Sequence, residues 1–232
     1  MSRFTVVKRG RRLAAIGVAG LGACAVLAAC SPVQMGSAAI VGNQRITVST
    51  VDTQVSNLQA AAKPYGSAAR LTAAQLPAAV LTWLIKFAVM DQAAVENGIS
   101  VTRAQGAAAL SSLNSQAPQA GFSNAKELLV VNGIPPQMFP QVGRWLAETT
   151  AYEAKANGGK QPSSQTEANH VTDALNKAQC TAAKALDIQV SPQFGRFDYT
   201  PTTFGVVPAP DTLSRLAGTP TPANTKGLTP AC

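Results

Sequence analysis

The residues of this chain with the most reactive side chains are few: four cysteines, Cys24, Cys30, Cys180 and Cys232, and a single histidine, His170. Cysteine can form a thioether, bridge to another cysteine or ligate a metal, and the surroundings decide among these. A zinc site takes three or four ligands, and a body offering only two cysteines and one histidine makes metal binding the less favoured reading. One histidine also rules out a two-histidine metal centre and leaves His170 as the sole imidazole base for a triad. Its neighbours Asn169, Val171 and Thr172 place it on the solvent side of a helix rather than in an active-site turn. Glu148 and Glu153 are five residues apart, off a common helical face, and read as surface charges. No phosphate-cradling glycine loop or dinucleotide fingerprint occurs. These features argue against an enzyme and imply neither cofactor nor metal.

Two of the cysteines sit at the end of an N-terminal leader. Arg3, Lys8, Arg9, Arg11 and Arg12 come first with no acid among them, and Leu13 to Ala29 is then uncharged and apolar. That order is the one of an export signal. The apolar run is rich in Ala and Gly and short of the roughly 20 residues a spanning helix needs. Leu27-Ala28-Ala29-Cys30 resembles the lipobox of bacterial lipoproteins, whose cysteine takes a diacylglyceryl thioether and becomes the mature N-terminus. Leu21-Gly22-Ala23-Cys24 is a competing and poorer box, and a plain signal peptide with an incidental cysteine is the bland alternative. The favoured reading lipidates Cys30 and anchors the chain to the extracytoplasmic face of the cell membrane. Each buried methylene contributes about 0.8 kcal/mol, so two acyl chains hold where one does not. Arg11-Arg12 does not read as a twin-arginine signal, because Gly10 and Ala14 do not support it.

Removing the leader changes the charge argument. The whole chain carries 19 Lys and Arg against 11 acids, and without the leader's five basic residues 14 remain against 11, a net of +3. No basic run with interleaved aromatics suggests nucleic-acid binding. Cys180 and Cys232 are then an even pair in an oxidising compartment. A bridge between them would tie the C-terminus to the body and contribute about 4 kcal/mol on the chain-entropy account; two free thiols are the alternative.

The elements that must position these residues follow from periodicity and punctuation. Ala39–Val41 and Arg45–Val48 read as short strands around a Gly42-Asn43 turn. Ser49 with Asp52 resembles a capping box that opens a helix ending before Pro64. Thr72 with Gln75 opens the strongest helix, with an apolar stripe of Leu76, Val80, Trp83 or Leu84, Phe87 and Ala88 and a stop at Gly98. Thr102 with Gln105 opens another, which ends before Pro118. Ser123 and Gly133 bracket a short helix, and one more starts at Pro135 or Pro136 with Pro140 as a candidate kink. After Gly158–Ser164, the spacing of Val171, Leu175, Ala178, Ala182 and Leu186 predicts a last helix with Cys180 on or beside its inner face. A short strand and turn follow at Ile188–Asp198, and Thr and Pro dominate from Thr200. The organisation expected is a signal peptide over 1–29, a tether over 30–37, a helical domain over 38–199 and an irregular tail over 200–232.

The order of these elements is itself a resemblance. "AAIVGNQRITVSTVD", "LPAAVLTWLIKFAVMDQAAVENGISVT", "LLVVNGIPPQMFPQVGRWL" and "LDIQVSPQFGRFD" are similar, in that order, to the SurA N-terminal, PrsA and trigger-factor-like chaperone family. The resemblance implies a mainly α fold with a short pair of terminal β-strands. It also implies ATP-independent holding of unfolded or partly folded exported proteins. Proteins of that family usually carry a parvulin prolyl-isomerase domain before the returning helix. Here only Gly158–Ser164 occupies that place, and His170 alone cannot supply the isomerase site, so isomerase activity is not implied.

Trp83, Phe87, Phe122, Met138, Phe139 and Trp145 are the large apolar side chains available to a core or to a groove. A core is the default for each. The resemblance favours the groove for Met138 and Phe139, which stand beside prolines at a helix start, and extends it to Trp83, Phe87 and Trp145. The alternative to a holdase is an envelope scaffold lipoprotein that binds one folded partner.

Overall fold

The structure, a computed structural model, describes residues 36–68 and 71–208. Every described residue belongs to one compact unit. The leader, Cys24, Cys30 and Cys232 lie outside the described residues.

The fold is mainly α, with six helices and five short strands among the described residues. β1 (Ser37–Val41) and β2 (Gln44–Thr47) form an antiparallel hairpin, and Gly42 takes the φ of +58° that its turn requires. β3 (Gln189–Val190), from the far end of the chain, adds to the other edge of β1, so the sheet order is β2-β1-β3. α1 (Val48–Ala62) starts one residue after β2: Thr47 is extended, and its hydroxyl accepts from the Thr50 amide at 3.1 Å. The cap is therefore Thr47 and not Ser49, whose hydroxyl is engaged with Thr47 at 2.9 Å.

α2 (Leu76–Glu96) is the central helix, packed on α1, α5 and α6. It begins four residues beyond Thr72. Gln75 Oε1 does accept from the Thr72 amide at 2.9 Å, but Pro77 has no amide proton, and its ring is tolerated only in a first turn. By length and composition α2 could cross a membrane; here Val80, Leu81, Ile85, Val89, Met90 and Ala93 are buried in the protein core. α3 (Arg103–Gln116) opens on the complete Thr102/Gln105 capping box. α4 (Ala125–Val131) is capped by Asn124, one residue past Ser123, because the Asn124 side-chain Oδ1 accepts from the Glu127 amide while the Glu127 carboxylate accepts from the Ser123 amide.

α5 (Phe139–Ala156) follows a 3-10 turn over Pro136–Met138. Pro140 falls in its first turn, where a missing amide proton costs nothing, so it does not kink the helix. Eight residues, Asn157–Ser164, connect it to α6 (Gln165–Ala185), which Ser164 caps. β4 (Arg196–Asp198) then pairs antiparallel with β5 (Gly205–Val207), Phe197 opposite Val206. The packed body thus extends past Thr200: Gly205 and Val206 are buried, and the Val206 amide donates to Thr82 Oγ1 of α2 at 2.8 Å. β5 is three residues long and stands among Thr and Pro, so no periodicity marks it in the sequence. The short strands are arranged as a three-stranded sheet and a separate hairpin.

Candidate functional site

α3 and α5 approach each other at two helix-interior glycines. A Cβ on Gly143 would stand 2.5 Å from the Gly106 carbonyl oxygen, and one on Gly106 would stand 3.2 Å from the Arg144 nitrogen. Glycine inside a helix costs about 1 kcal/mol relative to alanine, and close backbone packing is what it permits here. Two open clefts flank the crossing, each of about 610 Å³. One is lined by Val101, Ala107, Leu110, Pro140, Gln141 and Arg144. The other is lined by Ala108, Leu113, Leu146, Ala147, Thr150 and Ala151, among others. Short alkyl groups dominate both, with amides, hydroxyls and the guanidiniums of Arg103 and Arg144 among them. Such surfaces bind apolar segments by burial, and the small residues leave room for side chains of varied shape.

The five residues expected to contact a client come together beside this arm, in one cluster between α2 and α5. Phe87, Leu129, Ile134, Met138 and Val142 are its buried centre, and Trp83, Phe139 and Trp145 pack around them. Trp83 lies 5.8 Å from Phe87 and 5.8 Å from Trp145, the latter edge-on. Met138 is 2% exposed and Phe87 8%, so the groove position expected for these two is corrected to core. The prolines hold Met138 on a turn covered by α1, α4 and α5 instead of leaving a loose helix start. Trp83, Phe139 and Trp145 are half-buried.

Glu148 is likewise not a surface charge: its residue is 2% exposed. Arg144 holds it at 2.8 Å and Asp91 of α2 at 3.0 Å, so one guanidinium serves two carboxylates. Glu148 Oε2 has no hydrogen-bond partner. Burial pushes the Glu148 carboxyl up, Arg144 opposes this, and the nearby Asp91 adds to the rise. Burial raises Asp91 as well, again against Arg144. His170 is exposed. Among the described residues no group of three or more His, Cys, Asp or Glu could hold a metal ion. Cys180 is 4% exposed.

The clefts themselves escaped sequence reasoning. The available signal was Gly106 and Gly143, glycines in helical stretches that no cap or turn explains, which mark close backbone approach.

A protein-family model described as the SurA-like N-terminal domain matches residues 9–144, more than half of the chain. No curated protein and no solved structure matches it.

Proposed function

Because the chain belongs to the SurA-like N-terminal domain family, a chaperone-type family, we propose that it is a lipid-anchored extracytoplasmic holdase for unfolded exported proteins. It works without ATP and without prolyl-isomerase activity. The observation that carries this reading is the pair of open, alkyl-lined clefts on the α3–α5 arm. Both lie on the helices that the family match and its neighbouring sequence supply, and neither requires a sequence-specific partner. The leader and the Leu27-Ala28-Ala29-Cys30 box support export and anchoring through Cys30. The eight-residue connection between α5 and α6 leaves no room there for an isomerase domain. The burial of Met138 and Phe87 favours the second reading, a scaffold that binds one folded partner, because it takes two large contacts away from any groove.

Light scattering separates the two. At a stoichiometric ratio the lipoprotein should keep several unfolded exported proteins in solution, with or without ATP, and should not accelerate isomerisation of a prolyl peptide. Failure with every client tried would leave the scaffold reading.

A further inference from the structure

We propose that the pocket walled by α2, α5, α6 and the β4–β5 hairpin is a carboxylate-binding site whose cation is Lys86. The pocket holds about 130 Å³, below the roughly 300–1,000 Å³ of drug-sized ligand sites, and suits a carboxylate with its first methylenes. Lys86, Trp145, Asn176, Gln179, Tyr199 and Phe204 line it. None of these residues lines either α3–α5 cleft, so the site is separate from the one assigned to client holding.

Lys86 is half-buried, and its Nζ stands 5.3 Å from the centre of the Trp83 ring. Ring attraction of this kind fixes the direction of an ammonium without neutralising it. Among the described residues no carboxylate forms an ion pair with Lys86. Burial accordingly pulls its pKa down, a cost that an incoming anion would relieve. The amides of Asn176 and Gln179 can donate to the same anion. Gln179 Nε2 has so far only the thioether of Met90, at 3.5 Å, which is a weak acceptor. Trp145 and Phe204 supply apolar walls for the carbon chain behind the carboxylate. The hairpin wall is held in place: the Phe204 ring meets Phe197 edge-on at 5.3 Å, and Val206 is hydrogen-bonded to Thr82. A wider cleft adjoins it through Asn176, Cys180 and Pro201.

The occupant is an acidic side chain of a bound polypeptide. The chain has two tryptophans, one in the pocket wall and the other beneath Lys86, so their fluorescence reports on it. The full chain in detergent is titrated with propionate and, as the neutral isostere, propionamide. Propionate should change the emission saturably and propionamide should not. Lys86→Met, which keeps an apolar stem over Trp83, should weaken propionate binding about tenfold or more. Equal responses to the two probes, an unchanged affinity in Lys86→Met, or no response to propionate would overturn the assignment. None of these results depends on the light-scattering test of client holding.

Discussion

Glu148 shows how far burial can change what a residue means. In the sequence it is one more acid on a polar helix; in the fold it is covered, with one oxygen on Arg144 and the other without a partner. Its carboxyl titrates above the ordinary glutamate range because burial disfavours the charged form. A group whose pKa is raised on folding contributes stability that is fully present below the unfolded pKa and is lost as pH rises through the folded one. Unfolding free energy should therefore fall as pH rises from the ordinary glutamate range through the raised Glu148 pKa, and Glu148→Gln should flatten that part of the profile. Denaturant midpoints across that window measure both; a wild-type profile no steeper than that of the variant would contradict the assignment. Met138 carries a plainer expectation. As a core side chain its truncation to alanine should cost about 2–5 kcal/mol, and thermal unfolding should show it.

At the scale of elements, the crossing of α3 over α5 depends on the absence of a side chain at one place. Gly143→Ala would put a methyl 2.5 Å from the Gly106 carbonyl and against Leu110. The helices must then separate, at about 1–3 kcal/mol, so the melting temperature should drop. Substitutions in the clefts should behave in the opposite way. Ala107 and Ala108 are exposed, so Ala107→Glu with Ala108→Glu should change stability by about 0.5 kcal/mol or less each while weakening client holding. Helices were legible wherever cap, stripe and stop coincided, as at Thr102/Gln105 and at Gly98. Starts slipped where two candidate caps stood close together: Thr47 took the role of Ser49, and Asn124 that of Ser123. The Pro77 ring moved the start of α2. β5 was hidden because three residues leave no periodicity to read, and its strand state comes from pairing with β4. Which apolar side chains faced outward could not be read either, since a groove and a core draw on the same residue types.

The whole molecule adds what no single element holds. β1 and β3 come from opposite ends of the described body and pair edge to edge, while β5 is fastened to α2. The C-terminal half therefore completes a fold whose family match ends at residue 144. Anchoring at Cys30 and a bridge from Cys180 to Cys232 belong to this scale as proposals. Cys30→Ala should release the protein from the membrane fraction or leave it unprocessed, and lipid labelling that survives that change but not Cys24→Ala would reverse the order of the two boxes. Intact mass with and without reductant, followed by a peptide map, should find Cys180 joined to Cys232. The central claim is that unfolded chains are held on the α3–α5 arm, and site-specific photocrosslinking tests it most directly. A photoreactive residue at Ala108 or Ala151, inside one cleft, should capture an unfolded exported protein and not its folded form, whereas the same group at exposed His170 should not. Equal capture at His170 and at the cleft, or none in the cleft while the protein still prevents aggregation, would contradict it.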